Sequence, residues 1–389
     1  MPKPDRLDSI DCLRGLVIII MALDHTRDFF GNFAMGGADS AAFASPALFF
    51  TRWITHFCAP TFVLLAGMGA FLTQSRGMTK LQLTGFLLSR GLWLVFLELT
   101  VVHFGWAWEW NFRQGMWQVI WAIGWSMVGL SAFIWMPAWV IGLIGCVIIG
   151  GHNYFDGLTG NKLVTQTPWL AYLFGERGWF WDLLHTAYRT FSPFPGYRYF
   201  NLYPLLPWFG VLCLGYGLGP IITQVATVRR RTFLIVGITA IVGFIGLRYF
   251  NQYGDPVRWR ILPGGEQPMN TMRTVMSFLA CTKYPPSLSY LLMTIGPALV
   301  LLVLMEWPLP YIKRFLLTFG RVPLFFYILH LPLIHGLSKL VAWYFSPARK
   351  GFDLPDVYLF WALVVLLLYF PCLGFGWLKK RYGGVLKYL

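Results

Sequence analysis

Acidic side chains are scarce in this chain: 16 Asp and Glu stand against 31 Lys and Arg among 389 residues, and charges of both signs make up only 12%. A water-soluble domain carries about a quarter charged residues, so a globule with a solvated surface is excluded. There is no Walker loop, no GxSxG elbow and no HExxH, which removes the common signatures of nucleotide hydrolysis, serine hydrolysis and zinc proteolysis. The six cysteines form no CxxC and no Cys/His metal spacing. Cys12, Cys58, Cys146, Cys213 and Cys372 lie in or beside apolar runs, and Cys281 falls in an expected external loop. Neither a disulfide framework nor a structural zinc is expected. No small-residue cleavage site follows the first apolar stretch, which therefore reads as a retained helix rather than a secretory signal. Internal repeats and low-complexity linkers are also missing, so residues 1–389 read as one domain.

What is abundant is apolar. Hydrophobic residues reach 57% and mean hydropathy is +0.59. The surplus fits an all-α polytopic membrane protein whose outside faces lipid. The 19 Trp, 18 Tyr and 34 Phe fit the aromatic girdles of the two membrane interfaces.

The net charge of +15 is concentrated at the ends of apolar runs, at Arg229–Arg231, Lys313-Arg314 and Lys379-Lys380-Arg381. Cytoplasmic loops look like this, whereas a nucleic-acid surface would interleave a basic stripe with stacking aromatics. No nucleic-acid partner is expected. Ten spans are predicted near 10–30, 53–73, 84–104, 117–135, 137–151, 204–222, 232–250, 287–305, 319–345 and 357–378. With both termini inside, the basic clusters and Arg76/Lys80/Arg90 all fall on the cytoplasmic side. The aromatic segment 152–203, with Trp179, Phe180, Trp181, Pro193, Pro195 and Tyr197, reads as an interfacial or re-entrant cap.

Ionisable groups inside a bilayer are costly and mark function. The first span holds most of them: Asp11, Arg14, Asp24, His25 and Asp28. Arg14 and His25 are eleven residues apart, three helical turns, so they share a face roughly 16 Å apart along the axis. Arg14, at the inner end, can grip phosphate. His25, farther out, can take a proton from a nucleophile, with Asp24 or Asp28 orienting the ring. The plainer reading makes Arg14 and Asp11 an intrahelical pair and bonds His25 to a carbonyl. His56, Glu98, His103, Glu306, His330 and His335 complete the intramembrane set. His330 lies deep and His335 nearer the outer surface, Glu98 is expected to balance a buried cation, and Trp106, Trp108 and Trp110 are expected to form an aromatic belt. Gly215-Tyr216-Gly217-Leu218-Gly219 ends a membrane helix without a preceding strand and reads as close helix packing.

Arg6-Leu7-Asp8-Ser9-Ile10-Asp11-Cys12-Leu13-Arg14-Gly15 resembles the opening of the transmembrane acyltransferase superfamily, whose branches include heparan-α-glucosaminide N-acetyltransferase and bacterial YeiB-like proteins. His56-Phe57-Cys58-Ala59-Pro60, Leu206-Pro207-Trp208-Phe209-Gly210, Lys283-Tyr284-Pro285-Pro286-Ser287-Leu288 and Gly320-Arg321-Val322-Pro323 through His330 are similar to the uncharacterised bacterial branch of the heparan-α-glucosaminide N-acetyltransferase catalytic-domain family. The resemblance implies transfer of an acyl group, acetyl first, from cytosolic acyl-CoA as co-substrate to a saccharide hydroxyl or amine at the outer face, in a bacterial inner membrane, without a bound cofactor or metal. Arg14 and Arg321 would then hold the CoA phosphates and His25 would act as base, assisted by Asp24 or Asp28. Asp11, His56 and His330 would line the cavity, with homodimerisation left open. In the O-antigen acetyltransferase branch an Arg and a His on the first helix have the spacing of Arg14 and His25. One departure stands out: the lysosomal enzyme uses a histidine in the following loop, and residues 31–55 contain none. The competing expectation is a transporter or flippase whose permeation path is lined by the same charged stripe.

Overall fold

In hydrocarbon every backbone amide must be bonded within its own segment, so long apolar runs become helices. The computed structural model describes residues 7–33, 44–175, 179–192, 194–261, 269–307, 310–345 and 351–383; Arg6 and Pro193 lie outside the described residues. All ten predicted stretches are helical. The first is α1 (Asp8–Phe30), followed by α2 (Pro46–Thr55) and α3 (Cys58–Ser75), which together fill the second stretch. Then come α4 (Lys80–Leu97), a π-turn at Glu98–Val102 and α5 (His103–Ala107). The bundle continues with α6 (Val119–Phe133) and α7 (Ala138–Gly151). After the short α8 (Lys162–Gln166), α9 (Pro168–Phe174) and α10 (Trp179–Leu184) come α11 (Leu205–Ile222) and α12 (Ala226–Phe250). The last elements are α13 (Met269–Leu279), α14 (Leu288–Leu304), α15 (Pro310–Gly320), α16 (Pro323–Phe345) and α17 (Leu354–Tyr382).

Among the described residues seven helices are long and apolar enough to cross a bilayer: Pro46–Ser75, Lys80–Ala107, Ala138–Phe155, Leu205–Ile222, Ala226–Phe250, Pro323–Tyr344 and Leu354–Tyr382. Val119–Phe133 and Leu288–Leu304 are apolar but shorter. α1 is outside this set because charges stand at both of its ends, Asp8, Asp11 and Arg14 at one and Asp24, Arg27 and Asp28 at the other, yet it is the most enclosed of the long helices. Asp11, Asp24, Thr26 and Arg27 are all buried on it, and it packs against α3, α15, α16 and α17. Lipid is met elsewhere: Ile235, Ile238, Val242 and Ile245 of α12 recur every three or four residues and are all more than half exposed. An apolar stripe of that length has no place in water.

Small residues allow the backbones to touch. A Cβ on Gly215 would overlap the Leu64 carbonyl and one on Gly217 the Gly142 backbone, so the glycine run of α11 is a packing surface, as its sequence predicts. A Cβ on Gly15 would overlap the Leu316 carbonyl, and one on Gly320 the Asp11 carbonyl. This second contact seats α15 on the inner half of α1. Lys313 and Arg314, which read as loop residues from the sequence, lie instead on α15, an amphipathic helix that buries Leu316, Phe319 and Gly320.

The all-α expectation holds for the bundle, with one small addition. Three short strands, β1 (Gln114–Trp117), β2 (Arg189–Phe191) and β3 (Arg198–Asn201), form a sheet in the order β1-β3-β2. β1 is parallel to β3, pairing Gln114 with Arg198, and β2 is antiparallel to it. Trp117 stacks on Trp121 at 4.3 Å and on Tyr199 at 5.7 Å, which fixes the aromatic segment to the end of α6.

Candidate active site

Two chambers lie end to end along α1. The one beside the N-terminal half of α1, called the inner chamber after the expected topology, has about 410 Å³ and is lined by Asp11, Arg14, Arg76, Arg90, Arg321 and Lys379 among apolar side chains of α3, α4, α6 and α16. Five cations face one acid there, and this excess suits a polyanion. Arg14 donates to Asp11 Oδ1 at 3.3 Å and to the Leu65 carbonyl at 3.0 Å. Arg321 donates to Asp8 Oδ1 at 3.1 Å. The intrahelical Arg14–Asp11 pair and the cavity-facing role of Arg14 therefore coexist, because a guanidinium has five N–H groups.

The outer chamber, about 430 Å³, is lined by Asp24, His25, Arg27 and Asp28 of α1, Arg52 of α2, and Lys283, with Trp106, Tyr188, Tyr203 and Tyr284. Phe62, Val119 and Tyr327 line both chambers; one side chain each from α3, α6 and α16 forms a septum. Beyond Trp106, Met116 and Phe200 lies a vestibule that also reaches Arg198 of β3. Arg14 and His25 thus open into different chambers on either side of the septum, as three turns of one helix require.

Around His25 the partners differ in kind. Its Nδ1 lies 3.8 Å from Asp28 Oδ2, the indole of Trp106 meets its ring edge-on at 5.1 Å, and the His330 ring lies 5.2 Å away. His330 is fully buried behind His25 and is not part of the wall. Its Nδ1 donates to the Tyr327 carbonyl at 2.6 Å; since a carbonyl only accepts, Nε2 carries the ring's lone pair. His56 is likewise outside the wall: it is buried against Tyr290, whose hydroxyl donates to the His56 carbonyl at 2.8 Å. Asp24 is held by Arg52 and, at 2.9 Å, by Arg27. Arg27 also reaches Asp28 Oδ1 at 2.7 Å. Of the two acids considered as partners for His25, Asp28 is the one in reach.

Glu98 and Trp106 also differ from expectation. Glu98 pairs with no cation among the described residues; it accepts backbone N–H bonds from Gln118, Ile120 and Trp121. Its carboxyl oxygens meet the amides that a helix start leaves unbonded and tie the π-turn to the head of α6. Trp106 turns inward to His25 and away from lipid, whereas Trp110 is 64% exposed. Glu306 lies in the turn after α14, where Arg229 grips both its oxygens at 2.7 and 3.0 Å.

Lys283 opens the Lys283-Tyr284-Pro285-Pro286 motif, and its position in the fold is not visible from the sequence. It is 9% exposed and lines the outer chamber. Among the described residues no acid lies within 4 Å of its Nζ, which rests 5.1 Å over the Tyr284 ring. Arg76, Arg90 and Lys379 were legible only as cytoplasmic charge, and their convergence on one chamber needs the folded bundle.

These features define a class: a multi-pass helical membrane protein enclosing a cationic inner chamber and a histidine-bearing outer one. Residues 6–250 match the family model described as heparan-alpha-glucosaminide N-acetyltransferase, catalytic, and the chain belongs to that family. Lys283, Arg321 and His330 lie beyond the matched region. None of the curated proteins matches the chain.

Proposed function

We propose that this protein is a membrane-bound acyltransferase, moving an acetyl group from cytosolic acyl-CoA to a saccharide hydroxyl or amine at the outer face of a bacterial inner membrane. In this reading both termini lie inside, as the positions of the basic clusters favour, and the inner chamber opens to the cytosol. The abutment of the two chambers at Phe62, Val119 and Tyr327 carries this reading. A transferase needs donor and acceptor sites that meet at one point, and a septum three side chains wide supplies that point.

CoA phosphates rest among Arg14, Arg76, Arg90 and Arg321, and the pantetheine arm extends along α1 toward the septum. The acceptor enters through the vestibule and lies against His25. As the acceptor oxygen or nitrogen attacks the thioester carbonyl, His25 removes its proton, the new C–O or C–N bond forms and the C–S bond breaks. The departing thiolate takes up the proton that His25 now carries and leaves as free CoA. Asp28 orients the imidazole, and Trp106 limits its swing. Arg27, Arg52 and Lys283 leave the outer chamber with more positive than negative charge, which favours an acidic acceptor. A positioned general base supplies roughly 10²–10⁴-fold. The test is turnover of labelled acetyl-CoA by purified protein in detergent. Binding of acetyl-CoA that persists in His25→Ala, with turnover lost, supports the proposal. No binding, together with no effect of His25→Ala, sinks it.

A further inference from the structure

Away from both chambers, three side chains converge where the outer cap meets the bundle. His152 begins the 3₁₀ turn His152–Phe155 at the end of α7, Asp156 follows that turn, and His185 follows α10. His152 Nδ1 lies 3.2 Å from His185 Nε2, and His185 Nε2 lies 3.5 Å from Asp156 Oδ1. One ligand atom from each residue falls within 4.8 Å of the other two. Both histidines are nearly enclosed, at 2% and 3% exposure, while 28% of the Asp156 side chain remains open.

The hydrogen bonding of this cluster does not close by itself. His185 Nε2 also lies 3.0 Å from the His152 carbonyl, so one nitrogen faces an imidazole nitrogen, a carboxylate and a carbonyl. A neutral imidazole nitrogen carries at most one proton and can satisfy one of the three. Asn153 bonds the other oxygen of Asp156 at 3.1 Å and holds the carboxylate in place. Among the described residues His185 is the only basic side chain within 4 Å of Asp156. Lone pairs converge here without a resident positive charge.

From this geometry we infer that His152, Asp156 and His185 form a divalent transition-metal site, with Zn²⁺ as the fitting ion. Bonds of about 2.0–2.1 Å in a tetrahedron set ligand atoms about 3.3 Å apart, and the 3.2 and 3.5 Å separations bracket that edge. Two imidazoles and a carboxylate suit zinc better than magnesium or calcium, which prefer oxygen. The solvent-facing side of Asp156 leaves the fourth position to water. For His185 to bind through Nε2 its proton must sit on Nδ1, the tautomer opposite to the one that donates to the His152 carbonyl. The sequence holds no compact signature of this set, since His185 is 33 residues from His152 and joins it only through the fold.

The consequence is mechanical. His185 lies three residues before Tyr188, which lines the outer chamber and meets Tyr284 edge-on at 5.7 Å. An ion joining α7 to the end of α10 pins that wall to the bundle.

The experiment uses full-length protein without a histidine tag, purified in detergent, stripped with EDTA and titrated with Zn²⁺ alone. One Zn²⁺ per chain is expected, with Co²⁺ giving the visible absorption of a tetrahedral site and hydrogen exchange across residues 179–188 slowing on binding. Loss of a second-shell contact costs roughly 10–100-fold in metal affinity, so His152→Gln and His185→Gln should each weaken binding by about 100-fold or more. Asp156→Asn, at a solvent-facing position, gives the same reading where a histidine variant misfolds. Failure of the wild type to take up stoichiometric Zn²⁺ overturns the site, as does uptake unchanged in Asp156→Asn and in whichever histidine variants fold.

Discussion

His25 and Asp28 stand one turn apart on α1, with Nδ1 3.8 Å from Oδ2, while Arg27 holds the other oxygen of the same carboxylate at 2.7 Å. The contact is too long for a hydrogen bond in this state and close enough to form one with a small rotation of the ring. Asp28→Asn should therefore lower kcat by about 10²-fold, the cost of a misplaced catalytic group, and leave the KM for acyl-CoA unchanged. Asp24→Asn should behave differently. Arg27 and Arg52 would lose their buried partner, and breaking a buried ion pair costs about 3–5 kcal/mol. Thermal unfolding in detergent, measured beside steady-state kinetics, separates the two roles.

The inner chamber makes a prediction of the opposite kind. Arg14→Gln removes one charge-assisted contact to phosphate, worth about 1.5–3 kcal/mol. The KM for acyl-CoA should rise by about 10- to 100-fold while kcat stays within a few-fold. Arg321→Gln should add to this, since the two side chains reach the chamber from different elements. Isothermal titration with CoA reads the donor site directly.

Val119 faces both chambers. Val119→Trp would fill the junction with a large ring, and overpacking of this kind costs about 1–3 kcal/mol. CoA binding should persist and acyl transfer should fall by at least about 10²-fold. A loss of CoA binding in a protein that still unfolds at its normal temperature would place the donor elsewhere.

Glu306 supplies the pH dependence. Burial alone would raise its carboxyl, but the Arg229 and Arg230 bonds outweigh that and hold it below the usual 4.5. A folded value below the unfolded one gives stability that is present above about pH 4.5 and is lost as pH falls through the lowered value. The Tm should drop on acidification in that range. Glu306→Gln should lose about 2 kcal/mol at neutral pH and show a shallower acid slope.

The helices were legible because the bilayer imposes one rule on every span, and long apolar runs announce it. α1 was legible for the opposite reason: its charges made no sense against lipid, and the structure encloses them. The sheet was not, because strands of three and four residues with mixed aromatic and basic side chains carry no periodic signal. α15 was masked by its basic residues, which resemble a loop until Leu316, Phe319 and Gly320 are seen on one face. His25 and Arg14 could be found from spacing along one helix. Lys283, Arg76, Arg90 and Lys379 could not, since they reach the chambers from separate elements and meet only through tertiary packing. His330 reads as deep from the sequence, and depth alone does not tell a wall residue from one behind the wall.

Acyl transfer between the two faces of the membrane can be measured directly. Protein reconstituted in sealed vesicles, with labelled acetyl-CoA on the side of the Arg14 chamber and a saccharide acceptor on the other, should yield acetylated acceptor only on the acceptor side, with CoA released on the donor side. Product formed only when both substrates share one face would contradict it, and so would acceptor crossing the membrane unmodified while acetyl-CoA is untouched.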